Sequence, residues 1–248
     1  MPDLFALTAI GGTFLIAGMV KGVIGLGLPT VSLALLTVTF DLPSAMALLL
    51  VPSFITNLWQ AVVGGQGGAI LRRIWPFLLL ATGTVWIGAI ALRQVDLSLL
   101  SALLGLLLVI YGVANLAGLR FSLTQHQAAW LGPVLGTVNG VLTGMTGSFV
   151  VPGVMFLQAI GLPRDMLIQA MGILFTLSTL ALAVALQRNA FVTAELAGLS
   201  AAAVPPAIIG MIAGQRLRQN LSEQLFRRIF FIALLVLGTY IIFRALGG

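Results

Sequence analysis

The sequence predicts an all-α polytopic membrane protein made of two inverted repeats, and three observations support that prediction. Hydrophobic residues make up 60% of the 248-residue chain and charged residues only 7%, whereas a soluble domain carries about 25% charged residues. A glycine pattern in the first half of the chain returns in the second half. Arginines are concentrated in alternate predicted loops. These features predict about five apolar segments in each half, with the first two of each half short or broken at glycine-rich stretches.

The repeated pattern is Gly-x-x-x-Gly-x-x-Gly, which occupies residues 18–25 and again residues 140–147, at a constant offset of 122. Both copies precede a proline, Pro29 in the first half and Pro152 in the second. A backbone that leaves the helix inside a bilayer must be buried in protein or face a water-filled cavity. Paired segments interrupted by glycine and proline therefore predict a substrate site between the two breaks. The alternative is that the glycines form close helix contacts.

The apolar segments follow the same order in both halves, and a spanning helix needs about 20 apolar residues. The first repeat, residues 1–119, has predicted segments at 4–22, 26–40, 45–63, 74–92 and 97–116. After a polar connector at 120–127, the second repeat, residues 128–248, has them at 128–145, 148–160, 166–186, 194–214 and 225–243. The longer of the two short segments gives roughly 22 Å of helix against a hydrocarbon core of about 30 Å. Whether these short segments cross the bilayer fully is left open.

An odd number of segments in each half inverts one half relative to the other, and the distribution of positive charge tests this arrangement. With ten segments, one membrane face collects eight arginines, namely Arg72, Arg73, Arg120, Arg164, Arg216, Arg218, Arg227 and Arg228. The opposite face holds three, Arg93, Arg188 and Arg244. Eight helices in parallel halves would instead divide the arginines six to five. The charges therefore favour inverted repeats with both termini on the outer face.

Glycine-rich openings in both halves, each followed by a Leu-Pro turn and a helix, resemble the sulfite exporter TauE/SafE family of small bacterial permeases. The two turns lie at residues 42–43 and 162–163, an offset of 120, and the resemblance covers essentially the whole chain. The chain departs from the family where glycine and leucine alternate over residues 25–28 instead of forming a denser glycine cluster. The resemblance implies a multi-pass transporter of the bacterial inner membrane. Its implied substrates are small sulfur-containing or organic anions such as sulfite, sulfoacetate or other sulfonates, usually carried outward.

The polar residues near the two glycine patterns suit an anion. Helix N-termini, nearby cations and hydroxyl donors hold anions, and this set offers many donors with no fixed negative charge. The predicted substrate-binding residues are Lys21, Gly22, Gly25, Gly27, Thr30, Asn57, Asn139, Thr143, Gly144, Thr146, Gly147, Ser148 and Gln169. Further hydroxyls on the helices after the Leu-Pro turns are those of Ser53, Thr56, Thr176 and Ser178.

Lys21 is the only lysine of the chain, and an ionisable side chain inside a membrane segment marks a functional site by default. The alternative is that its amine extends along the helix end to the lipid headgroups. Hydroxyl and amide side chains in membrane helices also commonly bond a backbone carbonyl or a neighbouring helix instead of a ligand. Gln169 is the strongest of these candidates for substrate binding, because a primary amide among apolar residues is costly to leave unpaired.

The absence of certain residues and motifs from the sequence excludes several classes of function. The chain has no cysteine, which excludes thiolate metal sites and cysteine nucleophiles. It lacks the Gly-x-x-x-x-Gly-Lys-[Ser/Thr] phosphate-binding motif, and its basic residues form no patch for nucleic acid. We therefore expect no enzyme activity, no metal and no cofactor, with a small anion and the lipid bilayer as partners. A passive anion channel, a carrier of small carboxylates, and an intramembrane enzyme or scaffold are the alternatives, and a homodimer is left open.

Overall fold

The computed structural model describes residues 4–119, 121–219 and 222–247, and the regular structure in this part of the chain is helical. Seven helices there, with two interrupted helices each counted once, are long and apolar enough to cross a membrane. Two shorter apolar stretches, Leu28–Thr39 and Val150–Ala159, occupy the positions of the predicted short segments. The prediction of an all-α polytopic membrane protein is therefore confirmed. Arg120, assigned to a predicted loop, lies outside the described residues.

The helices of both halves follow one order: a long helix, a short one, a long one, an interrupted one and a final long one. The first half contains α1 (Leu4–Ile24), α2 (Leu28–Thr39), α3 (Leu42–Val62), α4 (Gly67–Gly83), α5 (Val85–Gln94) and α6 (Leu97–Leu116). The second half contains α7 (Gln125–Thr146), a π-helical turn (Val150–Val154), α8 (Met155–Ala159), α9 (Arg164–Arg188), α10 (Ala194–Ala202), α11 (Val204–Leu217) and α12 (Glu223–Gly247). Helix α7 has 22 residues but is not among the seven apolar spans.

Glycines with a left-handed backbone end the first long helix of each half, where the sequence predicts breaks. Gly25 (φ +79°) follows α1, and Gly27 (φ +108°) caps the start of α2. Gly147 (φ +74°) caps the end of α7. Residues with a side chain are strained at these angles. The chain can therefore leave the helix at these points because glycine is present.

The polar connector is shorter than predicted. The Thr124 hydroxyl oxygen accepts a hydrogen bond from the Gln127 N–H (3.3 Å), and the Gln127 side-chain oxygen accepts one from the Thr124 N–H (3.0 Å). This reciprocal pair is a capping box, which satisfies backbone donors at the start of a helix. Helix α7 consequently begins at Gln125, so the last three residues of the predicted 120–127 connector are helical.

The fourth predicted segment of each half is also wrong in extent. Its first copy, predicted from residue 74, begins at Gly67 and is interrupted at Thr84. The Thr84 hydroxyl donates to the carbonyl of Thr137 on α7 (3.0 Å), which ties the interruption to a neighbouring helix. The second copy is interrupted at Ala203 and runs on to residue 217. Two prolines at positions 205 and 206 lie just after that interruption, and they lack the N–H groups that a continuous helix requires.

The long helices of one half pack against helices of the other half. Helix α1 lies along α11, α7 along α4 and α5, α3 along α9, and α6 along α12. A Cβ on Gly22 of α1 would lie 2.2 Å from the Met211 carbonyl oxygen of α11, and one on Gly144 of α7 would lie 2.1 Å from the Val85 carbonyl oxygen. The middle glycine of each pattern therefore serves helix packing, the alternative role that the sequence leaves open. The last glycine of each pattern turns the chain.

The arginines divide between the two ends of the helix bundle. At one end, the Arg73 guanidinium donates to the Ile160 carbonyl (2.6 Å), which joins the start of α4 to the end of α8. At the other end, Arg244 of α12 donates to the Thr37 carbonyl of α2 (3.3 Å). We call the first end the arginine-rich end because its described residues include Arg72, Arg73, Arg164, Arg216, Arg218, Arg227 and Arg228.

Adding a methyl group at Gly22 should weaken the contact between α1 and α11. Because the new Cβ would lie 2.2 Å from the Met211 carbonyl oxygen, the helices must separate, and we expect Gly22→Ala to lower the free energy of unfolding by about 1–3 kcal/mol. Gly12→Ala on the same helix is the matched control, since its Cβ would meet nothing within 4 Å. Thermal unfolding of the detergent-purified variants compares the two. Equal midpoints would contradict the packing role.

Candidate functional site

The lone lysine is buried near the end of α1. Only 4% of the Lys21 surface is exposed, and its Nζ donates to the Thr56 hydroxyl oxygen of α3 (3.2 Å) and to the Asn57 side-chain oxygen. The Thr56 hydroxyl donates in turn to the Pro52 carbonyl (2.8 Å), so its oxygen is the acceptor for the amine. The amine is thus directed into the protein between α1 and α3. The alternative in which Lys21 extends along the helix to the interface does not describe this structure.

A cavity of about 240 Å³ adjoins the buried amine. Its walls come from α1, α3, α9 and α11, with Arg218 just after the end of α11. Val63, which caps the end of α3, also lines it, so the cavity lies toward the arginine-rich end. Two helices of each half therefore contribute to a single chamber, whose lining mixes polar side chains such as Gln60 and Gln215 with apolar ones such as Met211.

The chamber presents basic side chains and hydrogen-bond donors. Lys21 and Arg218 both line it, and no aspartate or glutamate is among the lining residues that the structure describes. In the protonated form the amine has three N–H donors, of which Thr56 and Asn57 accept two. The arrangement can therefore donate to an anion that enters the cavity.

Two further donors beside the lysine are buried without a partner. They are the Nδ2 amide group of Asn57 and the Oγ hydroxyl of Ser53, which lies one helical turn earlier on α3. Both residues have no exposed surface. Buried polar groups in native proteins are normally hydrogen-bonded, and an unpaired one requires an explanation such as a ligand. Neither residue is among the described lining of the cavity, so the Lys21 amine is the donor that borders the cavity, and these two are unused donors on the adjoining stretch of α3.

A comparison with protein families gives a match over nearly the whole chain. The model of the sulfite exporter TauE/SafE family matches residues 10–241. The chain belongs to the TauE/SafE family. The match confirms the resemblance seen in the sequence, and the family implies that this multi-pass membrane protein transports an anion. Comparisons with curated proteins and with solved structures give no match.

In this TauE/SafE protein the first-half residues predicted to bind substrate divide into two groups. Lys21, Gly22 and Gly25 line the cavity, and Asn57 bonds the Lys21 amine. Gly27 and Thr30 lie instead at the start of α2, where Gly27 caps the helix and Thr30 is buried. Neither is among the residues that line the cavity.

The second-half residues predicted to bind substrate form a separate buried cluster around the end of α7. The Asn139 side-chain oxygen accepts from the Gly153 N–H (2.9 Å). The Thr143 hydroxyl donates to the Ser148 carbonyl (2.9 Å), and the Thr146 hydroxyl oxygen accepts from the Ser148 N–H (3.2 Å). These side chains hold the backbone that leaves the helix before the π-helical turn. Gly144 and Gly147 complete the second-half set as packing and turn residues.

Gln169 lies outside the cavity, and its side chain forms hydrogen bonds with backbone groups of neighbouring elements. Its amide nitrogen donates to the Ala61 carbonyl of α3 (2.8 Å), and its side-chain oxygen accepts from the Gln66 N–H (3.0 Å). The side chain thereby ties α9 to the turn between α3 and α4. The partners that this buried amide is expected to need are thus backbone groups.

Several cavity residues are not predicted from the sequence. The Gln60 amide nitrogen donates to the carbonyls of Gly25 (3.1 Å) and Ile168 (2.7 Å), which satisfies a carbonyl at the break after α1. The spacing of Ser53, Thr56, Asn57 and Gln60 along one face of α3 is the signal that could have found it. Residues of α11 reach the cavity only through the α1–α11 contact, which no local pattern encodes. These cavity residues are Met211 and Gln215, with Arg218 just beyond the helix.

Proposed function

We propose that the protein is a secondary transporter that exports small sulfur-containing anions such as sulfite, sulfoacetate or other sulfonates. The observation that supports this most strongly is the buried Lys21 amine, which borders a cavity whose described lining residues include no acid. The Asn57 amide and the Ser53 hydroxyl are unpartnered donors on the same stretch of α3. An oxyanion accepts hydrogen bonds through several oxygens at once, so we propose that it bonds the amine from the cavity and also reaches these two donors, which the cavity lining does not include.

The size of the cavity favours a small substrate. Drug-sized ligands occupy pockets of about 300–1,000 Å³, whereas this cavity measures about 240 Å³. A water molecule takes about 30 Å³ of liquid volume, so a small anion fits together with a few waters. Gln215 and Arg218 line the same cavity and extend its polar surface beyond the lysine.

The helix contacts support the proposed architecture of two inverted repeats. Gly22 packs on Met211, and Gly144 packs on Val85. The two glycines are 122 positions apart, and their two contact residues are 126 positions apart. A two-fold relation between the halves produces reciprocal contacts of this kind. The same two offsets relate a second pair of contacts, Gly88 with Val141 and Gly214 with Met19.

The arginine-rich end is proposed to face the cytoplasm, because cytoplasmic loops of membrane proteins carry an excess of positive charge. Helix α1 starts and helix α12 ends at the opposite end of the bundle, so this orientation has both of these helix ends outside. In the proposal the Lys21 cavity lies toward the inside, and the protein is in an inward-facing state in the bacterial inner membrane.

Alternating access explains better than a passive channel why the cavity lies toward only one end of the bundle. The polar cavity lies toward one end of the bundle, whereas Asn139, Thr143 and Ser148 in the second half are buried. A channel needs a path open to both sides, while a carrier exposes its site to one side at a time by moving one helix bundle against the other. The proposed export therefore requires the halves to rock about the α3–α9 pair.

Two substitutions of Lys21 test whether its positive charge contributes to sulfite binding. Sulfite at about 100 times its Kd stabilises a folded protein by about 2.7 kcal/mol, so sulfite should raise the melting temperature of the detergent-purified wild type. We expect Lys21→Ala to weaken sulfite binding by about tenfold or more, since hydrogen bonds to charged groups contribute about 1.5–3 kcal/mol. Lys21→Arg keeps a cation and should retain most of the affinity.

Two results would contradict the proposal. Equal sulfite affinity in wild type, Lys21→Ala and Lys21→Arg would remove Lys21 from the site, and stabilisation by acetate but not by sulfite would assign the cavity to carboxylates. Proteoliposomes provide the matching transport measurement. We expect saturable sulfite flux with counterflow, whereas flux that never saturates and shows no counterflow would favour the channel.

Single cysteines test the inverted arrangement, because the natural chain has none. Gly68→Cys lies at the start of α4, and Gln187→Cys lies in the last turn of α9, the equivalent turn of the second half. Both positions are exposed. A membrane-impermeant thiol reagent applied to intact cells should label residue 187 and leave residue 68 unlabelled until the cells are lysed. Labelling of both residues from the same side would overturn the inversion.

A further inference from the structure

The two halves carry different chemistry at the position of the buried lysine. The offset of 122 that relates the glycine patterns places Thr143 of α7 where α1 has Lys21. Helices α3 and α9 follow the same offset, because they begin at Leu42 and Arg164. The offset of 120 between the Leu-Pro turns therefore does not extend into these helices.

Surface exposure along α3 and α9 supports the offset of 122. Leu58 and Val62 of α3 are 41% and 70% exposed, and their counterparts Leu180 and Val184 of α9 are 50% and 40% exposed. An offset of 120 would instead pair the exposed Leu58 with a residue that has no exposed surface, Ser178. The offset of 122 makes Ser178 and Thr179 the counterparts of Thr56 and Asn57, the two residues that accept from Lys21.

The hydroxyls of Ser178 and Thr179 have no hydrogen-bond partner although the two residues are 0% and 1% exposed. Buried hydroxyls in membrane helices usually donate to a backbone carbonyl one turn earlier. Thr176 on the same helix does so, through a bond to the Gly172 carbonyl (2.7 Å). Two adjacent hydroxyls that forgo this bond leave donors unused in the protein interior, where an unpaired polar group is costly.

The cluster lies past the middle of α9, as Thr56 lies past the middle of α3. Gln60 late in α3 bonds Ile168 early in α9, so the two helices run antiparallel. Thr56 and Ser178 are therefore displaced from the middle of the helix pair in opposite directions. The second cluster is thus positioned toward the end opposite the Lys21 cavity.

We propose that Ser178 and Thr179 form a second, uncharged anion subsite, which holds the substrate when the protein opens to the end opposite the Lys21 cavity. Thr143 takes the place of Lys21 in this half, and in the present structure its hydroxyl donates to the Ser148 carbonyl. This inference rests on the proposed function. In the present structure the subsite is closed, since all three residues are buried. Hydrogen bonds from neutral donors are about half as strong as those from charged donors. The anion is therefore captured tightly at the lysine end and released easily from the hydroxyl end.

Removal of the two hydroxyls tests the second subsite separately from the first. In the double variant Ser178→Ala/Thr179→Val, we expect the Kd of sulfite in detergent to stay within about twofold of wild type, while sulfite counterflow in proteoliposomes falls by about tenfold, equivalent to about 1.4 kcal/mol. Thr176→Val is the matched control, because it removes a hydroxyl from the same helix that already has a backbone partner. Its binding and its counterflow should both stay near wild type.

Counterflow in the double variant equal to that of Thr176→Val would overturn the subsite. Loss of sulfite binding in the double variant, with the protein still folded by its unfolding profile, would overturn the division into two subsites. Absence of sulfite binding by the wild type is a separate result, and it would remove the proposed function itself.

A gain of charge provides a second measurement that does not depend on deleting hydroxyls. Thr143→Lys places an amine at the position equivalent to Lys21, so the second subsite should become a tight one. Because the proposed release then starts from a tight site, we expect sulfite counterflow by folded Thr143→Lys to fall by about tenfold relative to wild type. Counterflow equal to wild type in the folded variant would contradict the equivalence of the two positions.

Discussion

The bonds from the Lys21 amine to Thr56 and Asn57 are the interaction on which the rest of the structure depends. They join α1 to α3 and hold an ionisable group that is 4% exposed. Burying such a group is costly unless it finds polar or charged partners. Both partners are neutral, and the described residues that line the adjoining cavity include no acid. In the proposed function a substrate anion supplies the missing charge, so substrate binding and the stability of this helix pair are linked.

Close approach of helices from different halves builds the chamber around that amine. Lipid tails are as apolar as the helix surfaces, so helices in a membrane associate through close packing and polar contacts more than through the hydrophobic effect. Glycine at position 22 lets α1 approach the backbone of α11, which brings Gln215 and Arg218 to the cavity. The matching contact of Gly144 with α5 positions hydroxyl groups instead of cations near the other end. In the proposal, one packing scheme therefore supports two different polar sites.

Much of the fold can be predicted from the sequence, because a membrane helix must satisfy its own backbone within an apolar segment of limited length. Helix α6 occupies residues 97–116 as predicted, and the glycine breaks lie where the pattern places them. The interruptions at Thr84 and Ala203 are not predicted from the sequence. Thr84 bonds a helix that is distant in sequence, and the only local signal near Ala203 is the pair of prolines that follows it. Likewise, Lys21 and Asn57 stand out as polar residues in apolar segments, whereas Arg218 joins the cavity only through tertiary packing.

Direct location of the anion tests the central claim that Lys21 and its neighbours hold the substrate. Selenite has the pyramidal shape of sulfite and a strong anomalous signal, so a crystal structure of the wild type with selenite would show its position. The account predicts a selenium peak in the cavity, with a selenite oxygen about 2.8 Å from the Lys21 amine and others near Asn57 and Ser53. A peak at the exposed Arg227 and Arg228 instead, with the Lys21 cavity containing only water, would contradict the account.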